Sequence, residues 1–264
     1  MSWREASAIS GSPGSWTAQV AEGWDIFGVS NGGYLMSLAT RAMEAESDGR
    51  DLISATAHYL NPVGPGPVSI EVATLKQGRS LSTMRARMSR GDRQLLTVSA
   101  VFADPKRPAF ERDLVLAEAP DLPAPEDCTQ VVPSESAPLP PPFTGKVDLR
   151  MHPDDAVALF GEKTGEPQVR GWFRLRDDEE IDAHAVVLAT DAMPPAIFNS
   201  NLPVGWTPTI DLSVQVRNPA PRGWLACKFT TRFVTSGLLE EDGEIWDESG
   251  HPVALSRQLA LVPR

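Results

Sequence analysis

The chain has 264 residues, of which 41% are hydrophobic and 22% are charged, a composition that suits two globular domains with apolar cores. Its net charge of −11 argues against general nucleic-acid binding, which needs a basic surface, and provides no overall attraction for an anionic ligand. Two cysteines and four scattered histidines match neither a disulfide framework nor a zinc motif, so we expect no metal and no cofactor.

The first ten residues, MSWREASAIS, are polar and lack the apolar stretch of a signal peptide. No window approaches the roughly 18 consecutive apolar residues of a membrane span. We therefore expect a cytoplasmic protein with reduced cysteines and no membrane-spanning segment.

The first half of the sequence predicts a strand, a helix and then four further strands. The first strand falls within residues 14–26, and the motif Asn31-Gly32-Gly33-Tyr34 opens the helix. Apolar residues at positions 35, 38, 39, 42 and 43 follow the helical period, and more apolar side chains on the other side indicate a helix buried on most faces. Alternating apolar segments then predict strands at 54–60, 68–75, 81–89 and 94–103, with turns between them.

A proline-rich segment follows at residues 119–143, with the sequence APDLPAPEDCTQVVPSESAPLPPPF. Proline cannot donate to a helix or a strand ladder, and several prolines together favour extended backbone. This segment predicts a linker between an N-terminal domain, residues 1–118, and a C-terminal domain, residues 144–264. An ordered crossover that packs along the surface is an equally acceptable interpretation.

The second half repeats the order of elements in the first. It predicts strands at 147–151 and 169–175, a helix at 182–192, and strands at 210–216, 225–233, 244–247 and 253–262. Asn61-Pro62 recurs as Asn218-Pro219, a shift of 157 positions, and Gly91 recurs as Gly250, a shift of 159. The shared order and the nearly constant shift favour an internal duplication.

A twisted antiparallel sheet has one face to bury, and a single apolar helix can cover that face. The predicted fold class is therefore α+β, a double hotdog in which two antiparallel sheets each wrap around a long apolar helix. The two units are expected to pack as a pseudo-dimer within one chain.

Several short motifs run through both halves. The first half contains the helix-opening Asn31-Gly32-Gly33-Tyr34 and the pattern E-V-x-x-L-x-x-G-R-S from Glu71. The second half contains Ala189-Thr190-Asp191, Thr209-Ile210-Asp211 and Leu255-Ser256-Arg257-Gln258. With these motifs the chain resembles the type II acyl-CoA thioesterases, the double-hotdog thioesterases, over nearly its whole length.

The resemblance implies hydrolysis of acyl-CoA thioesters to free acid and CoA. In that family an Asp, a Thr and a Gln of the second hotdog hold and activate a water, and the matching residues here are Asp191, Thr209 and Gln258. The chain departs from the family at Thr56, where a His is frequent, and just after Asp191, where Pro194-Pro195 follows. The resemblance also implies an acyl-CoA substrate and a homo-oligomer, and we expect assembly to cover exposed tryptophans.

The residue types agree with these roles, but each has a structural alternative. Asp191 falls in an apolar helix that the following prolines should end, and apolar surroundings at a helix C-terminus raise a carboxyl pKa toward the range of a general base. The alternative is a helix cap. Thr209 could hold a water or only pack in its strand, and Gln258 could be a buried amide or face solvent.

The glycines at the predicted helix start suggest an anion site. The N–H groups of Gly32 and Gly33 would meet a substrate oxyanion or a CoA phosphate with the favourable end of the helix dipole. A simple tight turn is the structural alternative.

Other functions remain open at this point. The sequence has no G-x-S-x-G motif and no plausible Ser-His-Asp order, which argues against an α/β-hydrolase. A non-catalytic acyl-CoA or lipid-binding protein on the same fold is the main alternative, since a fold does not determine a function. A hotdog hydratase is a weaker one, because no Asp and His stand close together near Asn31 or Asp191.

Overall fold

The computed structural model describes residues 1–106, 114–134, 139–218 and 223–263. Pro219, which is part of the predicted repeat, and residues 135–138 of the predicted linker lie outside these ranges.

The first half confirms the helix and the four strands predicted after it, with bounds that move by up to three residues. Its elements are α1 (Trp3–Ala6), β1 (Ile9–Ser12), β2 (Ser15–Val20), β3 (Asp25–Ile26), β4 (Val29–Ser30), α2 (Gly32–Glu44), β5 (Asp51–Tyr59), β6 (Gly66–Gln77), β7 (Leu81–Arg90) and β8 (Arg93–Ala103). The predicted first strand is broken into β2 and the small hairpin β3–β4. Asn31 caps α2 by accepting a hydrogen bond from the Tyr34 N–H at 2.8 Å.

The second half begins within the proline-rich segment. Its elements are β9 (Thr129–Val131), β10 (Val147–Met151), β11 (Gln168–Leu175), α3 (Ala183–Ala189), β12 (Thr209–Val216), β13 (Leu225–Thr230), β14 (Val234–Thr235), β15 (Leu238–Asp247) and β16 (Pro252–Leu261). Because β9 pairs with β10, the described part of residues 119–143 is an ordered crossover that adds a strand to the sheet edge.

The strands form one continuous antiparallel sheet, and not the two separate sheets that were expected. Their order is β1-β2-β6-β7-β8-β5-β12-β16-β15-β13-β11-β10-β9, with β14 paired to β15, while β3 and β4 form a separate hairpin. The second helix is also shorter than expected, since α3 has seven residues against thirteen in α2. Asp182 caps its start, and Pro194 and Pro195 prevent its extension beyond Asp191.

The two halves join where β5 pairs with β12. At the centre of this pairing Thr56 lies opposite Ser213, and their hydroxyl oxygens are 2.9 Å apart. The two positions differ by 157, which is the shift of the Asn-Pro repeat. In a duplicated structure with twofold symmetry, equivalent residues of two antiparallel strands meet only at the axis. The register therefore supports an internal duplication with its pseudo-twofold axis between β5 and β12.

The helices α2 and α3 pack against each other on one face of the sheet, and polar side chains join them. His184 of α3 is 1% exposed, and its ring nitrogens lie 2.9 Å from the Thr40 hydroxyl and 2.9 Å from a Glu44 carboxylate oxygen. Arg41 forms an ion pair with Asp182 at the start of α3. These contacts fix the position of one helix relative to the other.

All seven tryptophans lie in the described ranges, and they do not form the exposed surface that was expected. Trp3, Trp24 and Trp246 are buried, and only Trp206 is exposed by more than about a third, at 39%. The expectation that an oligomer must cover many exposed tryptophans was therefore wrong. Among the described residues, no helix has the length and apolar composition needed to traverse a bilayer.

The helix contact predicts a stability effect. Replacing His184→Ala should lower the free energy of unfolding by about 1–3 kcal/mol, because the buried Thr40 hydroxyl and the partly exposed Glu44 carboxylate on α2 lose their partner. Urea unfolding followed by circular dichroism measures the change. His58→Ala, at an exposed position of β5, is the control, and its free energy of unfolding should stay close to that of the parent protein. Equal effects of the two substitutions would contradict the assigned contact.

Candidate active site

An apolar cavity of about 170 Å³ lies between the two halves of the chain. Its apolar walls come from the β3–β4 hairpin, the proline-rich segment and the second half, and include Ile26, Leu139, Phe143, Met151, Val169, Met193 and Phe198. Polar residues from both halves also line it, among them Asn31, Asp191, Thr209 and Gln258. The cavity thus brings the three residues predicted to be catalytic to one site.

Asp191 follows the C-cap of α3, and its carboxylate reaches the first turn of α2 in the other half. One oxygen, Oδ2, accepts hydrogen bonds from the Gly33 N–H at 2.8 Å and from the Asn31 side-chain amide at 3.0 Å. The Asn31 amide also donates to the Asp191 carbonyl at 2.8 Å. Among the described residues no protein donor bonds the other oxygen, Oδ1. The carboxylate is therefore anchored through one oxygen, and the other is available for a ligand.

The environment of Asp191 makes it more basic than an ordinary carboxylate. Burial raises its pKa to about 6, while hydrogen bonds from the Gly33 and Gly32 N–H groups and from Asn31 lower it. The pKa is raised as expected, and burial, which the apolar surroundings predicted, is the main cause. The carboxylate also accepts a hydrogen bond at the positive start of α2, which favours the ionised form.

This geometry also clarifies the two glycines at the helix start. A Cβ on Gly33 would lie 2.9 Å from the Asp191 Cβ, so only glycine permits this close approach. A Cβ on Gly32 would lie about 3.0 Å from the Tyr59 hydroxyl and ring. The anion at this helix start is Asp191 itself, and so the Gly33 N–H is already engaged before any substrate binds.

Thr209 and Gln258 form a hydrogen-bonded pair on neighbouring strands. The Gln258 side-chain amide donates to the Thr209 hydroxyl at 2.8 Å, and Gln258 is 8% exposed, so it does not face solvent. Simple alternation from the buried Leu212 would place Thr209 on the opposite face of β12. A bulge between Thr209 and Asp211 reverses the alternation and turns Thr209 toward Gln258.

A further acidic residue near this site was missed by the sequence analysis. Glu241 is buried on β15, lies opposite Gln258 in the strand register, and accepts a hydrogen bond from the Ala196 N–H at 2.6 Å. Burial raises its pKa to about 7, and the charge of Asp191 adds to this. The alternation Leu239, Glu241, Ile245 along one strand face is the signal that could have indicated a buried carboxyl group.

Two further observations concern the surroundings of the site. The Tyr59 hydroxyl is buried beside Gly32 without a hydrogen-bond partner among the described residues. Within the same part of the chain, no group of three or more His, Cys, Asp or Glu side chains is placed to hold a metal ion.

A model of the acyl-CoA thioesterase N-terminal domain matches residues 20–103, and a model of the C-terminal domain matches residues 125–262. The chain belongs to the acyl-CoA thioesterase family.

Individual relatives agree with this family assignment. A thioesterase II candidate from Thermobifida fusca is 31% identical, with a TM-score of 0.88 over 100% of this chain and 98% of that one. An acyl-CoA thioesterase II from Mycobacterium marinum has the same fold, with a TM-score of 0.74 over 99% and 97% of the two chains at 18% identity. An uncharacterised protein of Mycobacterium tuberculosis is 25% identical, and the similarity covers 95% of this chain and 94% of the length of that protein. The structure of a conserved protein with a hot dog fold from Alicyclobacillus acidocaldarius is also similar, with a TM-score of 0.85 at 19% identity over 99% of this chain and 97% of that one, which confirms the hotdog fold.

The buried carboxyl of Glu241 predicts a pH-dependent stability difference. Its pKa is raised in the folded state from 4.5 to about 7, so the folded protein holds this proton more tightly and loses stability as pH rises through about 7. Glu241→Gln keeps a hydrogen-bond acceptor for the Ala196 N–H and removes this pH-dependent loss of stability. Relative to the parent, the variant should gain on the order of 3 kcal/mol between pH 5 and pH 8.

Denaturant unfolding at the two pH values measures the difference, and the exposed Glu22→Gln variant is the control. A constant difference between Glu241→Gln and the parent across this range would contradict the buried carboxyl group.

Proposed function

We propose that this protein hydrolyses acyl-CoA thioesters to a free acid and CoA with a water activated by Asp191. The observation that carries the proposal is the Asp191 carboxylate, which has a raised pKa, is anchored through Oδ2 and has Oδ1 available in an apolar cavity. A base with a pKa near 6 is ionised at neutral pH and still accepts a proton from water in the transition state. The family membership supports the same chemistry.

In the proposed mechanism, Asp191 removes a proton from water as the water oxygen attacks the thioester carbonyl carbon. The carbon–sulfur bond then breaks, the CoA sulfur leaves with the bonding electron pair, and it takes up a proton to give the thiol. Thr209 accepts a hydrogen bond from Gln258, so its own O–H proton is free to point toward the water. Thr209 and Gln258 together position that water.

The helix-start glycines have a different role in this mechanism from the one first expected. The N–H groups of Gly32 and Gly33 hold the base in place and favour its ionised form. In the same mechanism the Gly32 N–H also donates to the oxyanion that forms on the substrate.

The remaining expectations form part of the proposal. We assign the domains to residues 1–118 and 144–264, joined by a linking segment at 119–143 whose strand β9 pairs with β10 of the second half, and the pseudo-twofold pairing of β5 with β12 supports this division. We also propose a cytoplasmic homo-oligomer that acts in lipid metabolism. A non-catalytic acyl-CoA or lipid-binding protein is the alternative, because the same apolar cavity could bind an acyl chain without hydrolysing it.

The role of Asp191 predicts a specific kinetic loss. Asp191→Asn should lower kcat by about 10²- to 10⁴-fold, because the amide cannot accept the water proton. In the parent, kcat/KM should rise as pH increases through about 6, where Asp191 ionises, and the variant should lack this rise. Thiol release from a series of acyl-CoAs measures both effects.

Asp211→Asn is a matched control, since Asp211 lies on the same strand as Thr209 and is not among the residues that line the cavity. Full activity of Asp191→Asn would refute the assignment. Binding of acyl-CoA by the parent without any turnover would support the non-catalytic alternative.

The hydrogen-bonded pair predicts non-additive effects. Thr209→Ala and Gln258→Ala should each lower kcat less than Asp191→Asn does, and the double variant should be little worse than the more severe single one, because both residues hold one water. Steady-state kinetics of the three variants provide the test, with thermal unfolding as a check on folding. Fully additive losses would mean that the two side chains act independently.

A further inference from the structure

The open side of the cavity has an aromatic pair that the proposed chemistry does not use. Phe27 and Trp206 both line the cavity and are 45% and 39% exposed, as is Val204 at 42%, whereas other lining residues such as Phe143, Met151 and Val169 are buried. Their rings pack edge to face, with centroids 5.8 Å apart and planes at 87°. Phe27 belongs to the first half and Trp206 to the second, so the pair crosses the mouth of the cavity between the halves.

Phe27 occupies a backbone position that disfavours it. It forms with Gly28 the two-residue turn of the β3–β4 hairpin, and both have positive φ, 53° and 78°, the pattern of a type I′ turn. Such turns favour Asn, Asp or Gly, and a bulky residue there is strained.

Among the described residues there are two other pairs in which a non-glycine residue with positive φ precedes a glycine with positive φ. They are Asp48-Gly49 and Ser236-Gly237, and both use a small polar residue at the first position. Ser236-Gly237 also connects two paired strands, β14 and β15, so it is directly comparable with Phe27-Gly28. Phe27 is thus the exception, and its ring contacts Trp206, which lines the same cavity.

We propose that Phe27 and Trp206 form an aromatic clamp that binds the apolar chain of a thioester substrate at the mouth of the cavity. This inference rests on the proposed function for the identity of the ligand, an acyl thioester. Two parts of such a ligand have hydrocarbon groups that can lie against the rings, namely the alkyl part of the acyl group and the methylene and methyl groups between the amides of the pantetheine arm of CoA. Strained backbone positions are expected at ligand sites, where the residue serves binding. The strained position of Phe27 agrees with this role.

The test measures binding and not turnover, so that it remains informative if the protein is not a hydrolase. Equilibrium binding of dodecanoyl-CoA is measured by calorimetry in an Asp191→Asn background, with and without Phe27→Asn or Trp206→Ala. Each substitution should weaken binding by roughly tenfold, as for loss of one aromatic contact with an apolar chain. The double variant should be little weaker than either single variant, because the two rings act as one clamp.

Stability measurements separate binding from a structural role. Because asparagine suits a type I′ turn, Phe27→Asn should leave the melting temperature of the unliganded protein unchanged or raise it, while it weakens binding. Ser236→Asn introduces asparagine at the first position of the comparable turn. It is the matched control and should not change binding. A lower melting temperature with unchanged affinity would show that Phe27 is only a structural residue and would overturn the proposal.

Two ligand series identify which chain is clamped. If the loss of affinity grows from butanoyl-CoA to dodecanoyl-CoA, the clamp binds the acyl chain. If the loss is equal for all acyl-CoAs and disappears with N-acetylcysteamine thioesters, it binds the pantetheine arm. Either result supports the clamp, and unchanged affinity in both series overturns it. Absence of hydrolysis by the parent, with these binding losses intact, would refute the proposed function and leave the clamp in place.

Discussion

The site depends on the hydrogen bonding of one carboxylate across the junction of the two halves. Asp191 comes from the end of α3, and its partners Asn31 and Gly33 come from the start of α2. Burial alone would make this carboxylate prefer a proton, and the amides of α2 partly compensate. The result is a base whose pKa lies just below neutral pH. Every element that positions the two helices, including the buried contact of His184 with Thr40, therefore also positions the base.

The two halves differ at the position of this carboxylate. Residues 38–43 read LATRAM and residues 188–193 read LATDAM, so the segments differ only at Arg41 and Asp191. Asp191 contacts the start of α2, and Arg41 forms an ion pair with Asp182 at the start of α3. The equivalent position in the first half thus has the opposite charge and takes part in an ion pair between the helices. One half retains the carboxylate, and the other half contributes the helix start that holds it.

Local patterns predicted the elements well, because periodicity of apolar residues reflects burial directly. The helix α2 and most strands follow from the printed sequence, whereas the three polar residues of the cavity were identified through the family resemblance. The contacts that depend on strand register or on distant segments could not be predicted from local patterns. The bulge that turns Thr209 inward, the continuous sheet across β5 and β12, and the engagement of Gly33 by Asp191 all depend on partners far away in the chain. The buried Glu241 was hidden in an acidic run whose outer members bind arginines.

Isotope labelling of a single turnover tests the central claim, that Asp191 activates a water and does not attack the thioester itself. Excess enzyme is mixed with an acyl-CoA in ¹⁸O-labelled water, and the acid and the protein are analysed by mass spectrometry. General-base catalysis predicts one ¹⁸O atom in the acid from the first turnover and none in the protein. An unlabelled acid, with ¹⁸O found in Asp191, would mean that the carboxylate acts as a nucleophile and would contradict the account.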